Sequence, residues 1–129
     1  NPSRSDTAAQ ADLFGSGGLA WHQWNKHGRC AGVSSGQYYE LSRTAYDSIT
    51  RPPVFRRLDK TFRLPIRVVE EAFIKSNPDL APDMITLTCR DGYVQEARIC
   101  LTKDLEYRSC GRDVRRDCTM TDAQMDPLR

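Results

Sequence analysis

The stretch "MITLTCRDGYVQEARICL", residues 84–101, predicts a β-hairpin. Apolar and polar residues alternate along it, and Asp91-Gly92 is a favoured hairpin turn. A two-residue loop would pair Ile85 with Arg98, whereas a three-residue loop would pair Ile85 with Ile99. The second register places apolar side chains opposite each other on one face, so we expect that register.

Two of the five cysteines lie in this hairpin. Cys89 and Cys100 would point to opposite faces of the hairpin and lie at different positions along its strands, so we expect no bond between them. With Cys30 set aside, two connectivities of the other four cysteines remain. The more local one joins Cys89 to Cys118 and Cys100 to Cys110. Five cysteines in so short a chain are typical of a secreted or periplasmic disulfide framework, and the odd count leaves one of them free or bonded outside this segment.

Two helices are expected in the N-terminal part. The first begins near Gly18 and ends before Gly28, a residue suited to the left-handed conformation after a helix end. The second begins with a capping box of Ser34 and Gln37 and ends before Pro52. Its expected apolar stripe consists of Tyr38, Leu41, Ala45 and Ile49.

A third helix is expected from Pro65 to a point before Pro78. Its expected buried residues are Val69, Ala72 and Phe73. Residues 1–17 are interpreted as an irregular lead-in and residues 119–129 as a polar tail. Together these elements predict one α+β domain over residues 1–129, with helices packed on an antiparallel β-sheet and disulfides that stabilise it.

The composition excludes some classes of protein. Charged residues make up 28%, mean hydropathy is −0.62, and no apolar run is long enough to span a membrane. The first residues lack the apolar core of a signal peptide. The net charge is only +2, so overall charge does not by itself indicate a nucleic-acid partner.

Both histidines of the chain lie in "LAWHQWNKHGRCAG", residues 19–32. On a helix, His22 lies above Lys26 and Gln23 above His27, so these four polar groups should form one patch. Imidazole exchanges protons near neutral pH, with a reference pKa of about 6.5. A lysine beside it can stabilise charge that develops on a phosphoryl oxygen. The pattern therefore predicts a site able to cleave a phosphodiester through an adjacent hydroxyl.

Two other interpretations of this stretch remain open. A histidine and a lysine on a helix can be an ordinary solvated face, and His22, His27 and Cys30 could bind a metal. The spacing is not His-Glu-x-x-His and no acidic residue separates the histidines, so we expect neither a metal nor another cofactor. Trp24 points away from the patch and is expected in the core.

The segment "WHQWNKHGRC", residues 21–30, resembles the second conserved active-site segment of the ribonuclease T2 family. That segment reads His-Glu-Trp-x-Lys-His-Gly-Thr-Cys, and bacterial members often precede it with Leu-Ala. The matching residues are Leu19, Ala20, His22, Trp24, Lys26, His27, Gly28 and Cys30. "FIKSNP" (73–78) and "EARICLTKDLEYRSC" (96–110) are similar to later segments of the family. The resemblance covers roughly residues 17–118 and implies a ribonuclease T2-like fold.

By position, the resemblance implies a role for each residue of the patch. His27 would be the general base or acid, His22 would bind the scissile phosphate, and Lys26 would stabilise the pentacovalent transition state. Leu19 stands where many relatives have an aromatic residue that contacts a base. The implied reaction cleaves single-stranded RNA, not DNA, through a 2′,3′-cyclic phosphate to a 3′-phosphate without a metal. The resemblance also implies the disulfides Cys89–Cys118 and Cys100–Cys110.

The sequence departs from the family at two points. Gln23 stands where the family has Glu, and a carboxylate there would raise the pKa of His27, so we expect a slower reaction or a shifted pH optimum. The family's first active-site segment, His-Gly-Leu-Trp-Pro, with its partner histidine, is absent from these 129 residues.

These departures define what we expect of the chain by itself. It should be the C-terminal portion of a longer ribonuclease whose N-terminal half could be joined through Cys30, and it should be nearly inactive alone. One alternative is a non-catalytic relative that binds RNA or a protein through a degraded site. A small disulfide-stabilised binding module with a chance resemblance is the other.

Overall fold

The computed structural model describes residues 1–115 and 117–128. It has an α+β fold with a four-stranded mixed sheet and two disulfides, which confirms the coarse fold class. The chain divides into two compact units, Asn1–Ile49 and Thr50–Arg129, and the single domain expected from the sequence stays a prediction. Within the described ranges, no helix is long and apolar enough to cross a membrane.

The first unit is helical. Its elements are α1 (Arg4–Ala8), α2 (Ala11–Phe14), α3 (Gly17–Lys26), a 3₁₀ turn (Gly28–Cys30) and α4 (Ser35–Ser48). The prediction of an irregular lead-in is wrong for α1 and α2. Ser3 and Asp6 form a capping box that begins α1, with the Ser3 hydroxyl accepting from the Asp6 N–H at 3.1 Å and the Asp6 carboxylate accepting from the Ser3 N–H at 2.9 Å.

The core of the first unit lies between α3 and α4. Ala20, Trp24 and Tyr39 are buried together, which confirms the prediction for Trp24. The predicted stripe of α4 is wrong at its centre, because Leu41 is 38% exposed and the neighbouring Tyr39 is buried instead. The Tyr39 hydroxyl donates to the Ala20 carbonyl at 2.9 Å, so its polar end is satisfied inside the core.

The second unit combines two helices with the sheet. Its elements are α5 (Pro53–Arg56), β1 (Phe62–Pro65), α6 (Ile66–Ser76), a 3₁₀ turn (Pro82–Met84), β2 (Ile85–Arg90), β3 (Tyr93–Ile99) and β4 (Asp122–Met125). The strand order is β1-β4-β3-β2. The expected antiparallel sheet is wrong at one contact, because β3 and β4 pair in parallel at Tyr93 and Gln124. The strand β4 also lies in the segment expected to be a polar tail.

The hairpin register is the one predicted, with Ile85 opposite Ile99. The three-residue loop is wrong, however, because Arg90 pairs with Tyr93 across a two-residue turn. The register then shifts by one residue between Thr88 and Cys89, which leaves Gln95 as the extra residue of a β-bulge. The bulge thus restores the apolar pairing that the turn alone would break.

The second core lies between α6 and the hairpin. Val69 and Phe73 of α6 pack with Ile85 and Leu87 of β2, as predicted, whereas Ala72 is only half-buried. The helix begins at Ile66, one residue after the predicted start at Pro65, and ends before Pro78 as predicted. The sequence-based disulfides are confirmed, with Cα–Cα distances of 5.1 Å for Cys89–Cys118 and 5.3 Å for Cys100–Cys110. Each such bond stabilises a small fold by about 2–4 kcal/mol, chiefly by restricting the unfolded chain.

Candidate active site

Helix α3 carries the predicted site. Its first turn is capped by Ser16, whose hydroxyl accepts from the Leu19 N–H at 3.1 Å. Ala20 and Trp24 lie four residues apart on its buried side. This arrangement turns the opposite side of the helix, which contains His22, to solvent.

His22 and Lys26 lie one helical turn apart on the solvent side of α3, and both side chains are exposed. Leu19, which is 51% exposed, lies one turn before His22 on the same side. In the described part of the chain, neither His22 nor Lys26 makes a side-chain hydrogen bond or an ion pair. An imidazole and an ammonium group are therefore both available to an anionic ligand at this surface.

Gln23 and His27 are arranged differently from the predicted helical pair. The His27 N–H donates to the Gln23 carbonyl at 2.9 Å, but His27 has φ −122° and ψ −45° and lies outside the regular helix. The His27 side chain is exposed, whereas Gln23 is half-buried. The four polar residues thus occupy neighbouring turns, with His27 at the end of α3 rather than on its regular face.

The expected conformation of Gly28 is wrong. Gly28 is buried at the start of the 3₁₀ turn and does not have a positive φ. A Cβ atom at this position would lie 2.4 Å from Trp24 Cε3 and 3.0 Å from Tyr38 Cδ1. The need for glycine therefore comes from close packing beside His27, not from a left-handed backbone.

Arg29 adds a cation that sequence reasoning missed. Its Nη1 donates to Asn25 Oδ1 at 2.9 Å, which folds the exposed guanidinium back along the end of α3. The spacing of four residues between Asn25 and Arg29 was the available signal. Together with Lys26, this residue gives the end of α3 two fixed positive charges next to His27.

Trp21 is also exposed, by 45% of its surface. It lines a cleft of about 340 Å³ together with Arg4, Thr7 and Gly17 among others. None of the four predicted polar residues lines this cleft. The candidate site is therefore distinct from this cleft.

The alternative interpretation as a metal site concerns His22, His27 and Cys30. Over residues 1–115 and 117–128, no group of three or more His, Cys, Asp or Glu side chains is placed to hold a metal ion. Cys30 is exposed and has no disulfide partner among the described residues. His22, His27 and Cys30 thus do not come together as a ligand set.

Comparisons with models of known protein families, with curated proteins and with solved structures found no match to this chain.

Proposed function

We propose that this chain carries part of the active site of a ribonuclease T2-type endoribonuclease that cleaves single-stranded RNA. The observation that carries the proposal is the exposed pair of His22 and Lys26, one turn apart on α3, with His27 at the helix end. These residues lie in the segment that resembles the family's second active-site motif.

The proposed reaction is a transphosphorylation followed by hydrolysis. The ribose 2′-oxygen attacks phosphorus as an imidazole takes its proton, and the 5′-oxygen leaves after protonation by an acid. Lys26 stabilises the negative charge on the pentacovalent phosphorus, and His22 holds the phosphate. Water then opens the 2′,3′-cyclic phosphate to a 3′-phosphate. DNA is not a substrate, because it lacks the attacking hydroxyl.

His27 supplies one of the two proton-transfer groups, as base or acid. The second comes from a histidine outside these 129 residues, since His22 is used for the phosphate. We propose that a preceding half of the same domain provides it and that Cys30, exposed and free here, forms the link. The two disulfides fit a secreted or periplasmic site of action.

The test uses a substrate that does not need the missing acid. Uridine 3′-(4-nitrophenyl phosphate) has a leaving group that departs without protonation, so a base and a cation should suffice. We expect the 129-residue chain to release nitrophenol faster than buffer does, with a 2′,3′-cyclic phosphate product and no effect of a chelator. Natural single-stranded RNA should be cut only slowly by the same sample.

The controls assign the activity to the patch. His27→Ala and Lys26→Ala should each remove most of the acceleration, whereas Lys75→Ala, which changes an exposed lysine on α6, should leave it unchanged. If His27→Ala cleaves as fast as the unaltered chain, or if a chelator stops the reaction, the proposal is wrong. RNA binding without any cleavage would instead favour a non-catalytic relative, for which the Gln23 substitution is the supporting observation.

A further inference from the structure

Positive charge is concentrated in one segment of the second unit. Residues 51–67 contain six basic residues and one acidic residue, Asp59, for a net charge of +5. The whole chain has a net charge of only +2, so the remaining residues together carry −3. The six basic residues are Arg51, Arg56, Arg57, Lys60, Arg63 and Arg67. Such local asymmetry is the electrostatic footprint of a polyanion-binding surface.

The fold leaves most of these cations in solvent. Five of them are exposed, and we call these five the basic segment: Arg56, Arg57, Lys60, Arg63 and Arg67. Arg67 lies 3.7 Å from Glu71, with both side chains largely exposed. The other four have no acidic side chain within ion-pair distance in the described part of the chain. Their charge is therefore not neutralised internally.

An aromatic ring accompanies these cations on the strand β1. Phe62 is 37% exposed, and Lys60 Nζ lies 5.4 Å from the centre of its ring. In the strand order, β1 lies at one edge of the sheet. Because side chains alternate along a strand, Arg63 points to the face opposite Phe62. Lys60 and the exposed Phe62 ring thus lie together at the start of this edge strand, and Arg63 follows on its other face.

We propose that the basic segment is a second RNA-contacting surface, separate from the histidine patch, that binds the phosphates of single-stranded RNA while Phe62 stacks on a base. This inference rests on the proposed function for the choice of RNA as the polyanion that the second unit binds. Cations along a backbone path with an aromatic platform are the usual components of single-strand binding. Five of the six basic residues in this run are arginines, whose planar group makes paired bonds to phosphate oxygens.

The test measures binding without cleavage. A fluorescent 2′-O-methyl RNA oligonucleotide cannot be cut by the proposed reaction, so its anisotropy reports binding to the 129-residue chain alone. The double variant Arg57→Gln/Arg63→Gln removes two unpaired cations. At 0.1 M salt we expect about fivefold weaker binding per lost contact, and a slope of log affinity against log salt that is smaller by about 0.7 per contact.

Matched variants distinguish the loss of a specific RNA contact from the loss of overall positive charge. Arg90→Gln/Arg108→Gln removes the same charge from exposed positions of the same unit and should have a much smaller effect. Phe62→Leu should weaken binding without changing the salt slope, since stacking releases no counterions. Urea midpoints of all variants, measured in parallel, show that each remains folded.

The outcomes distinguish this inference from the proposed function. Equal losses in the two double variants would overturn it, and so would binding to anionic lipid vesicles in preference to RNA. His27→Ala, which removes a proton-transfer group and no phosphate ligand, should lose cleavage of the nitrophenyl substrate but retain oligonucleotide binding. If the unaltered chain cleaves nothing yet loses RNA binding in Arg57→Gln/Arg63→Gln, the second surface stands and the proposed catalysis fails.

Discussion

Gly28 packs directly against the indole ring of Trp24, so closely that a Cβ atom at residue 28 would lie 2.4 Å from Trp24 Cε3. This contact ties the backbone that follows His27 to the buried side of α3. The position of the proposed proton-transfer group therefore depends on the absence of a side chain at the next residue.

Gly28→Ala should destabilise the first unit by about 1–3 kcal/mol, because the ring is buried and cannot move away without disturbing its neighbours. Cleavage of the nitrophenyl substrate should fall as well, since His27 would move. The matched control is Gly36→Ala in α4, where an added Cβ meets no atom within 4 Å. That variant should be neutral or more stable by up to about 1 kcal/mol, because alanine favours helix over glycine. Equal urea midpoints for both variants would contradict the packing argument.

Gln23→Glu should raise the pKa of His27, because a carboxylate near the helix end favours the protonated imidazole. The raised pKa keeps the ring protonated to higher pH. The part of the pH–rate profile that depends on His27 should therefore shift to higher pH. An NMR titration of the two histidines measures this shift without requiring activity. Thr44→Glu on α4 adds the same charge at another exposed position and controls for net charge. If the titration of His27 and the pH–rate profile are unchanged in Gln23→Glu, the presence of Gln in place of the family's Glu has no effect on function.

Removal of the two disulfides should have unequal effects. Cys89 and Cys118 are 29 residues apart, whereas Cys100 and Cys110 are 10 apart. The longer loop restricts the unfolded chain more, so Cys89→Ala/Cys118→Ala should cost about 1 kcal/mol more than Cys100→Ala/Cys110→Ala. Urea unfolding of both double variants tests this order. Cys30→Ser, at an exposed unbonded position, is the control and should leave the midpoint unchanged.

Glu70 gives the second unit a pH-dependent stability. Burial raises the pKa of its carboxyl above the ordinary value of 4.5, the negative charge of Asp117 raises it further, and Arg115 opposes the rise. A folded-state pKa above the unfolded one means that ionisation of Glu70 disfavours the fold. This cost is absent below the ordinary pKa, grows as the pH rises from that value to the folded-state pKa, and is complete above the folded-state pKa.

Glu70→Gln should therefore raise the urea midpoint at pH 7 and converge with the unaltered chain at pH 4. Glu106→Gln, which removes a carboxylate from an exposed position of the same unit, provides the comparison and should show no such difference between the two pH values. A midpoint for Glu70→Gln that is lower at pH 7 than that of the unaltered chain would reverse the assigned sign.

The sequence predicted the helices and strands that depend on interactions between residues close together in the chain. The capping box at Ser34, the first turn of α6 after Pro65 and the alternation in the hairpin each act over a few residues, so the sequence predicts them directly. The strands β1 and β4 were missed, because each has only four residues and is stabilised by pairing with the other, as at Phe62 and Met125. Short strands of this kind carry no periodic signal.

In the candidate site, too, features set by the local sequence were predictable and features set by packing were not. The exposure of His22 and the burial of Trp24 follow from helical periodicity and were predictable. The departure of His27 from the regular helix was not, because helix ends vary by one or two residues with the packing around them. The reason for Gly28 was likewise hidden, since it depends on how closely the backbone approaches the Trp24 ring and on Tyr38, a residue from another helix.

The bulge at Gln95 has a consequence for comparing related chains. It absorbs a one-residue offset between the turn and the apolar pairing of Ile85 with Ile99. A relative could therefore carry one more residue in the turn and lack the bulge while keeping the same buried contacts. An alignment that places its gap at Asp91-Gly92 without a matching gap near Gln95 would then displace the whole inward face of β3 by one position. Gaps in this hairpin should be placed as a pair.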